Sequence, residues 1–136
     1  MTLTDAGPLV ALLDKRDANH DACIAAVKRL PSSELLTTWP CFTEAMYLLG
    51  TVGRYRYQAE LWKLYSEGQI VLYDLSVVEI STMNALMEKY QDTPMDLADA
   101  SLVAVAERLS LCRVFTFDTH FYIYRLSDGS MLEIIR

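Results

Sequence analysis

Short strand-type segments alternate with longer helix-type segments along this chain, and few folds accept that order. Thr2–Asp5 reads as a first strand, Glu34–Thr38 as a second, Ile70–Leu72 as a third, Arg113–Phe117 as a fourth and Met131–Ile135 as a last. Helical segments lie between them. Pro8–Leu13 has proline at a permitted early position. His20–Leu30 has Asn19 or Asp17 as a possible cap. Pro40–Leu49 is followed by Gly50, which is expected to help end it. Arg54–Ser66, a segment from a Ser76 cap to about Tyr90, and Leu97–Leu109 behind the stop at Pro94 complete the set. Turns are expected at Pro31-Ser32-Ser33 and Asp128-Gly129. Parallel strands need crossovers of a dozen or more residues, usually helical. The expected fold is therefore α/β, with helices on both faces of a central, mostly parallel sheet. With 136 residues and 52% apolar side chains, the chain suits one globular domain spanning 1–136. No apolar run approaches the roughly 18 residues of a spanning helix. The start MTLTDAG carries no secretory pattern. Cys23, Cys41 and Cys112 lack metal-finger spacing and read as reduced thiols. A cytoplasmic protein without membrane contact is the expectation.

The same order of elements gathers acids. In an open parallel sheet, strand C-termini and helix N-termini share one edge, where ligands bind. Asp5 ends the first strand and Asp118 the fourth, while Glu44 and Asp99 are expected in the first turns of their helices. Four carboxylates from separate segments then face one pocket. Crowded carboxylates repel one another, and some take up protons unless a cation is present. Mg²⁺ or Mn²⁺ relieves that conflict through oxygen ligation, and the chemistry implied is metal-assisted cleavage of a phosphodiester.

Each acid also has a plain structural use. Asp5 suits a turn, Glu44 the positive end of a helix dipole, and Asp118 an N-cap. Asp99 suits a capping arrangement with Asp96. Four such uses coinciding on one sheet edge is the harder account. Asp96, three residues before Asp99, shares its face. Its main expected role is the cap, with a place beside a second ion as the lesser one. His20 and His120 lack the partners of a nucleophilic triad and are expected to be structural or surface residues.

The formal charge of −6 gives weak non-specific attraction to nucleic acid. Two divalent ions would bring it to about −2, and a basic protein partner suits what remains. Arg54–Tyr65 mixes basic and aromatic residues. It could stack bases. The commoner use is an amphipathic helix with Leu61, Leu64 and Tyr65 inward. A third use is a docking surface shared with Met46, Tyr47, Leu48 and Leu49.

Four stretches carry a family resemblance: Leu3-Thr4-Asp5-Ala6-Gly7-Pro8-Leu9-Val10, Phe42-Thr43-Glu44-Ala45, Met95-Asp96-Leu97-Ala98-Asp99-Ala100-Ser101-Leu102 and Thr116-Phe117-Asp118. In order and spacing the chain resembles the PIN-domain ribonucleases, in particular the VapC-type toxins of toxin–antitoxin pairs. The resemblance implies a three-layer α/β/α PIN-like fold and a metal-dependent endoribonuclease acting on RNA. By it, Asp5, Glu44, Asp99 and Asp118 would be the catalytic acids that hold Mg²⁺ or Mn²⁺. Thr116 matches the small hydroxyl residue two positions before the last acid. Ala6 departs from the Ser or Thr often found after the first Asp, which removes a hydroxyl but no metal ligand. An antitoxin docking on the early helices is implied as partner, with homodimerisation as a possible further contact. The alternative is a non-catalytic PIN-like binding module whose acidic pocket takes a structural cation or a basic peptide.

Overall fold

A computed structural model describes residues 1–32 and 34–136, so Ser33 of the expected Pro31–Ser33 turn lies outside the described residues. The order is β1 (Thr2–Thr4), α1 (Ala6–Leu13), α2 (His20–Arg29), β2 (Leu35–Thr38), α3 (Trp39–Ser66), β3 (Ile70–Tyr73), α4 (Val77–Lys89), α5 (Leu97–Leu109), β4 (Arg113–Phe115) and β5 (Glu133–Ile135), with a 3₁₀ turn at Thr119–Tyr122. The strands form one sheet in the order β3-β2-β1-β4-β5. Every pairing in it is parallel.

Strand periodicity divides the apolar residues between the two faces. Leu35, Ile70, Leu72, Phe115 and Ile135 pack with α1, α2 and α3. Leu3, Leu36, Val71, Val114 and Ile134 pack with α5 and with Phe121, Tyr124 and Leu132. The result is a three-layer α/β/α sandwich. The chain runs outward from β1 through β2 to β3, then returns to the other side of β1 for β4 and β5. The strand order therefore reverses beside β1, and in such sheets the crevice at that reversal is the ligand site.

Several local expectations are corrected. β1 stops at Thr4 and β4 at Phe115, so Asp5 and Asp118 lie just beyond their strands as helix caps. Asn19 makes no side-chain cap bond. The Asp17 carboxylate accepts from the Asn19 N–H instead, at 2.8 Å. Ser76 is the N-cap residue of α4 but makes no side-chain cap bond; its hydroxyl donates to the Glu79 carboxylate, which also accepts from Tyr73. His20, by contrast, matches its expected structural place, its Nδ1 lying 2.6 Å from the Ala11 carbonyl.

The largest difference is α3. Gly50 does not end it; the helix runs from Trp39 to Ser66 with a break at Arg54 (φ 55°, ψ −149°). The two arms fold back on each other. A straight helix would separate Phe42 and Trp62 by about 30 Å, yet their rings meet edge-on at 5.2 Å. Gln58 Nε2 donates to the Met46 carbonyl across the hairpin, at 3.2 Å. The glycines serve close approach. A Cβ on Gly50 would lie 2.5 Å from Gln58 Nε2, and one on Gly53 2.3 Å from the Tyr57 ring. On the second arm Leu61 is fully buried, but Tyr65 is exposed and not inward. It turns to an aromatic strip with Trp62 and Phe42. On the first arm Leu49 is wholly buried and unavailable for docking, and Met46 packs partly against the core.

Candidate active site

Asp5, Glu44, Asp96, Asp99 and Asp118 line one cavity of about 190 Å³, together with Ala6, Gly7 and Phe117. Among the described residues, no lysine or arginine lines it. The fold accounts for each position. Asp5 leaves β1 as the N-cap of α1, its carboxylate accepting from the Ala6 N–H at 2.7 Å. Asp118 caps the 3₁₀ turn through the His120 N–H at 2.9 Å. Asp96 and Asp99 form a reciprocal capping box at the start of α5, with Asp99 N–H to Asp96 Oδ1 at 2.8 Å and Asp96 N–H to Asp99 Oδ2 at 3.2 Å.

Glu44 differs from its expected place. Thr38 caps α3 and Trp39 begins it, so Glu44 falls in the second turn, and no acid occupies the first. The helix-dipole account of Glu44 is thereby removed, because that effect fades beyond the first turn.

Hydroxyls and one thiol beneath the cavity set the spacing of these elements. Thr116 Oγ1 donates to Asp5 Oδ2 at 2.8 Å and accepts from the Asp118 N–H at 3.0 Å. It thus joins the ends of β1 and β4. Thr37 Oγ1 donates to the Thr4 carbonyl at 2.8 Å, which ties β2 to β1. Thr38 and Ser101 hydroxyls meet at 2.6 Å and link the starts of α3 and α5. The buried Cys41 thiol lies 3.9 Å from Asp5 Oδ1 and 3.7 Å from the Ala98 carbonyl.

The electrostatics follow from this crowding. Burial raises Asp99 to about 7, with Asp96 the next cause. Burial also raises Asp5, although the Thr116 and Ala6 hydrogen bonds partly offset it. Glu44 is raised by burial first and then by Asp96, Asp5 and Asp118. Among the described residues, the side chains as they stand form no closed ligand set of three or more His, Cys, Asp or Glu. The carboxylates share a cavity without being drawn to one point.

Two contacts escaped the sequence reading. His120 Nδ1 lies 2.8 Å from Asp118 Oδ1. Tyr124, buried, sets its hydroxyl 3.1 Å from Asp99 Oδ2 and also on the Pro94 carbonyl. The proximity of His120 to Asp118 in sequence was a usable signal. Tyr124 had none, since 25 residues separate it from Asp99. A wider, mostly apolar cavity adjoins the acidic one and shares Glu44 and Asp96 with it. Trp39, Pro40, Thr43, Tyr47, Leu97 and Ala98 form the rest of its wall.

Comparison with known proteins agrees with this architecture. A family model of the PIN domain matches residues 2–126. No curated protein sequence matches significantly. Among solved structures, the fold is similar to that of Mycobacterium tuberculosis VapC20, described as a sarcin-ricin loop cleaving toxin. That match has a TM-score of 0.83 and 14% identity over 100% of both chains. A toxin–antitoxin complex from Klebsiella pneumoniae matches at TM-score 0.66 and 19% identity over 88% of each chain. FitAcB from Neisseria gonorrhoeae matches at TM-score 0.64 and 18% identity, over 100% of this chain and 97% of the other.

Proposed function

The chain belongs to the PIN-domain family, and from that premise we propose that it is a Mg²⁺- or Mn²⁺-dependent endoribonuclease, the toxin of a toxin–antitoxin pair acting in the cytoplasm. One observation carries the reading: five carboxylates from four segments line one cavity that, among the described residues, no lysine or arginine lines. The donor chemistry fits a hard divalent cation, which prefers carboxylate oxygen. Asp5, Glu44, Asp99 and Asp118 would hold the ion, with Asp96 beside them. When bound, such an ion supplies Lewis-acid polarisation of a phosphoryl oxygen.

The chain's own contribution is placement. Thr116 fixes the Asp5 carboxylate and the Asp118 backbone in one stroke. The capping box fixes Asp99 relative to Asp96. No hydrogen-bond partner among the described residues occupies the Glu44 carboxylate. It is therefore free to accept a proton or orient a water beside a substrate phosphate. The adjoining apolar wall, with Trp39, Tyr47 and Leu97 exposed, offers an antitoxin segment a surface beside the acids. The toxin context draws support from the solved relatives, of which one is described as a toxin and another as a toxin–antitoxin complex.

The test is cleavage of total RNA by the purified chain with Mg²⁺, with Mn²⁺ and with chelator, alongside Asp99→Asn. Cleavage should require the divalent ion and vanish in the variant. Cation binding with no cleavage under any condition would replace the nuclease with a non-catalytic binding module.

A further inference from the structure

Asp99 is held through one carboxylate oxygen only, and the group that reaches that oxygen from outside its own helix is a phenol. Tyr124 follows the 3₁₀ turn and passes under the acidic cavity, and its side chain is 2% exposed. Its ring is locked between two others, edge-on to Tyr90 at 5.2 Å and to Phe121 at 5.2 Å. Its hydroxyl touches the Pro94 carbonyl and lies 3.1 Å from Asp99 Oδ2. The Asp96 N–H also reaches Oδ2, at 3.2 Å. Among the described residues, Asp99 Oδ1 has no hydrogen-bond partner. One carboxylate oxygen is thus held by the protein, and the other is left for the cavity.

We propose that Tyr124 is a positioning residue for the metal site: through Oδ2 it fixes the rotation of the Asp99 carboxylate and presents Oδ1 to the cation. The inference rests on the metal-dependent reading above. A ligand carboxylate gains affinity when an outer hydrogen bond sets its orientation before the ion arrives, and losing such a partner typically costs about 10–100-fold in metal affinity or activity. The phenol carries one proton and lies against two acceptors, the Pro94 carbonyl and Asp99 Oδ2, so it donates to one of them at a time; with the ion bound, Oδ2 is the acceptor. A phenol suits the task, because burial and the nearby Asp99 carboxylate keep it protonated and able to donate.

Tyr124→Phe removes the hydroxyl and keeps the ring between Tyr90 and Phe121. The control is Tyr90→Phe, which deletes a hydroxyl from the same aromatic cluster. That hydroxyl accepts from the Arg125 N–H at 2.8 Å and does not bond Asp99. Mn²⁺ affinity is measured by titration calorimetry on the full chain, well below the melting temperature of each metal-free protein. We expect Tyr124→Phe to bind Mn²⁺ about tenfold more weakly than wild type and Tyr90→Phe to bind as wild type does. RNA cleavage by Tyr124→Phe should recover when Mn²⁺ is raised about tenfold. If Tyr124→Phe melts lower yet binds Mn²⁺ with wild-type affinity, the residue is structural only and the proposal is overturned. Equal weakening in both variants also overturns it, since the effect would then belong to the aromatic cluster. Wild-type protein that neither binds Mn²⁺ nor cleaves RNA refutes the proposed function itself, a result distinct from either of these.

Discussion

Asp99 binds its proton more tightly in the folded chain than an ordinary Asp does, being raised from 3.8 to about 7 by burial and then by Asp96. The native state therefore carries more protons than the unfolded state between those values, and stability falls as pH rises through that window. With chelator present, the protein should melt at a higher temperature at pH 5 than at pH 8. Asp99→Asn should flatten that difference and melt above wild type at pH 8, because one buried, repelled charge is gone. An unchanged slope in a pH series of melting curves would remove Asp99 from this role. A cation that binds only the native state stabilises it by mass action, so millimolar Mg²⁺ or Mn²⁺ should raise the melting temperature at pH 8. Asp118→Asn should blunt that rise. At this scale the sequence was informative, because Asp5, Asp96, Asp99 and Asp118 all sit at element ends that local patterns reveal. Tyr124 and Cys41 were invisible. Their contacts to Asp99 and Asp5 cross 25 and 36 residues of chain and depend on tertiary packing.

The elements were legible where short apolar runs and caps marked them, as in the strands read at Glu34–Thr38 and Ile70–Leu72 and the Asp96 cap of α5. At the α3 hairpin the two arms were legible as Pro40–Leu49 and Arg54–Ser66, but the break falls at Arg54 and not at Gly50. Glycine is the usual residue for a positive φ, and Gly50 suggested a stop. The chain instead places Arg54 in that conformation and uses Gly50 and Gly53 for close packing. Glu44 was misassigned by one turn: it is the sixth residue of a helix that begins at Trp39, beyond the 3.6 residues of the first turn. The hairpin yields two opposite expectations. The Arg54 backbone lies in a region nearly reserved for glycine, at a typical cost of about 1–3 kcal/mol. Arg54→Gly should therefore stabilise the protein by about 1 kcal/mol after its greater chain entropy is counted. Gly53→Ala should destabilise by about 1–3 kcal/mol, because its Cβ would meet the Tyr57 ring at 2.3 Å. Urea midpoints of the two variants check both signs. Equal and small shifts would mean the hairpin relaxes freely. Glu44 rides on the first arm, so a loosened hairpin should also weaken Mn²⁺ binding.

At the scale of the whole molecule, a chain of charge −6 is proposed to act on a polyanion. Without a divalent ion its affinity for RNA should be weak, since few cationic side chains are available to release counterions. The same charge favours a basic partner, and the surface beside the site supplies the apolar complement. Exposed Trp39, Trp62 and Tyr65 are joined by edge-on ring contacts, Trp39 and Trp62 through the buried Phe42 ring. Tyr47, 70% exposed, stands over the apolar cavity that shares Glu44 and Asp96 with the acidic one. A partner helix could seat its apolar face there and extend a lysine or arginine to Glu44 and Asp96. That cation would occupy the carboxylates needed by the metal, so binding and inhibition would be one event. The product of an adjacent small open reading frame should therefore copurify and suppress RNA cleavage. Tyr47→Ala should weaken the complex by at least about tenfold, as loss of an aromatic anchor does, and leave metal-dependent cleavage intact. High salt should weaken the ionic part and spare the apolar part. Homodimerisation through the same strip predicts otherwise: the chain would purify as a dimer, Tyr47→Ala would yield monomers, and the neighbour's product would neither bind nor inhibit. The second pattern would retire the antitoxin and leave the nuclease to be judged on its acids alone.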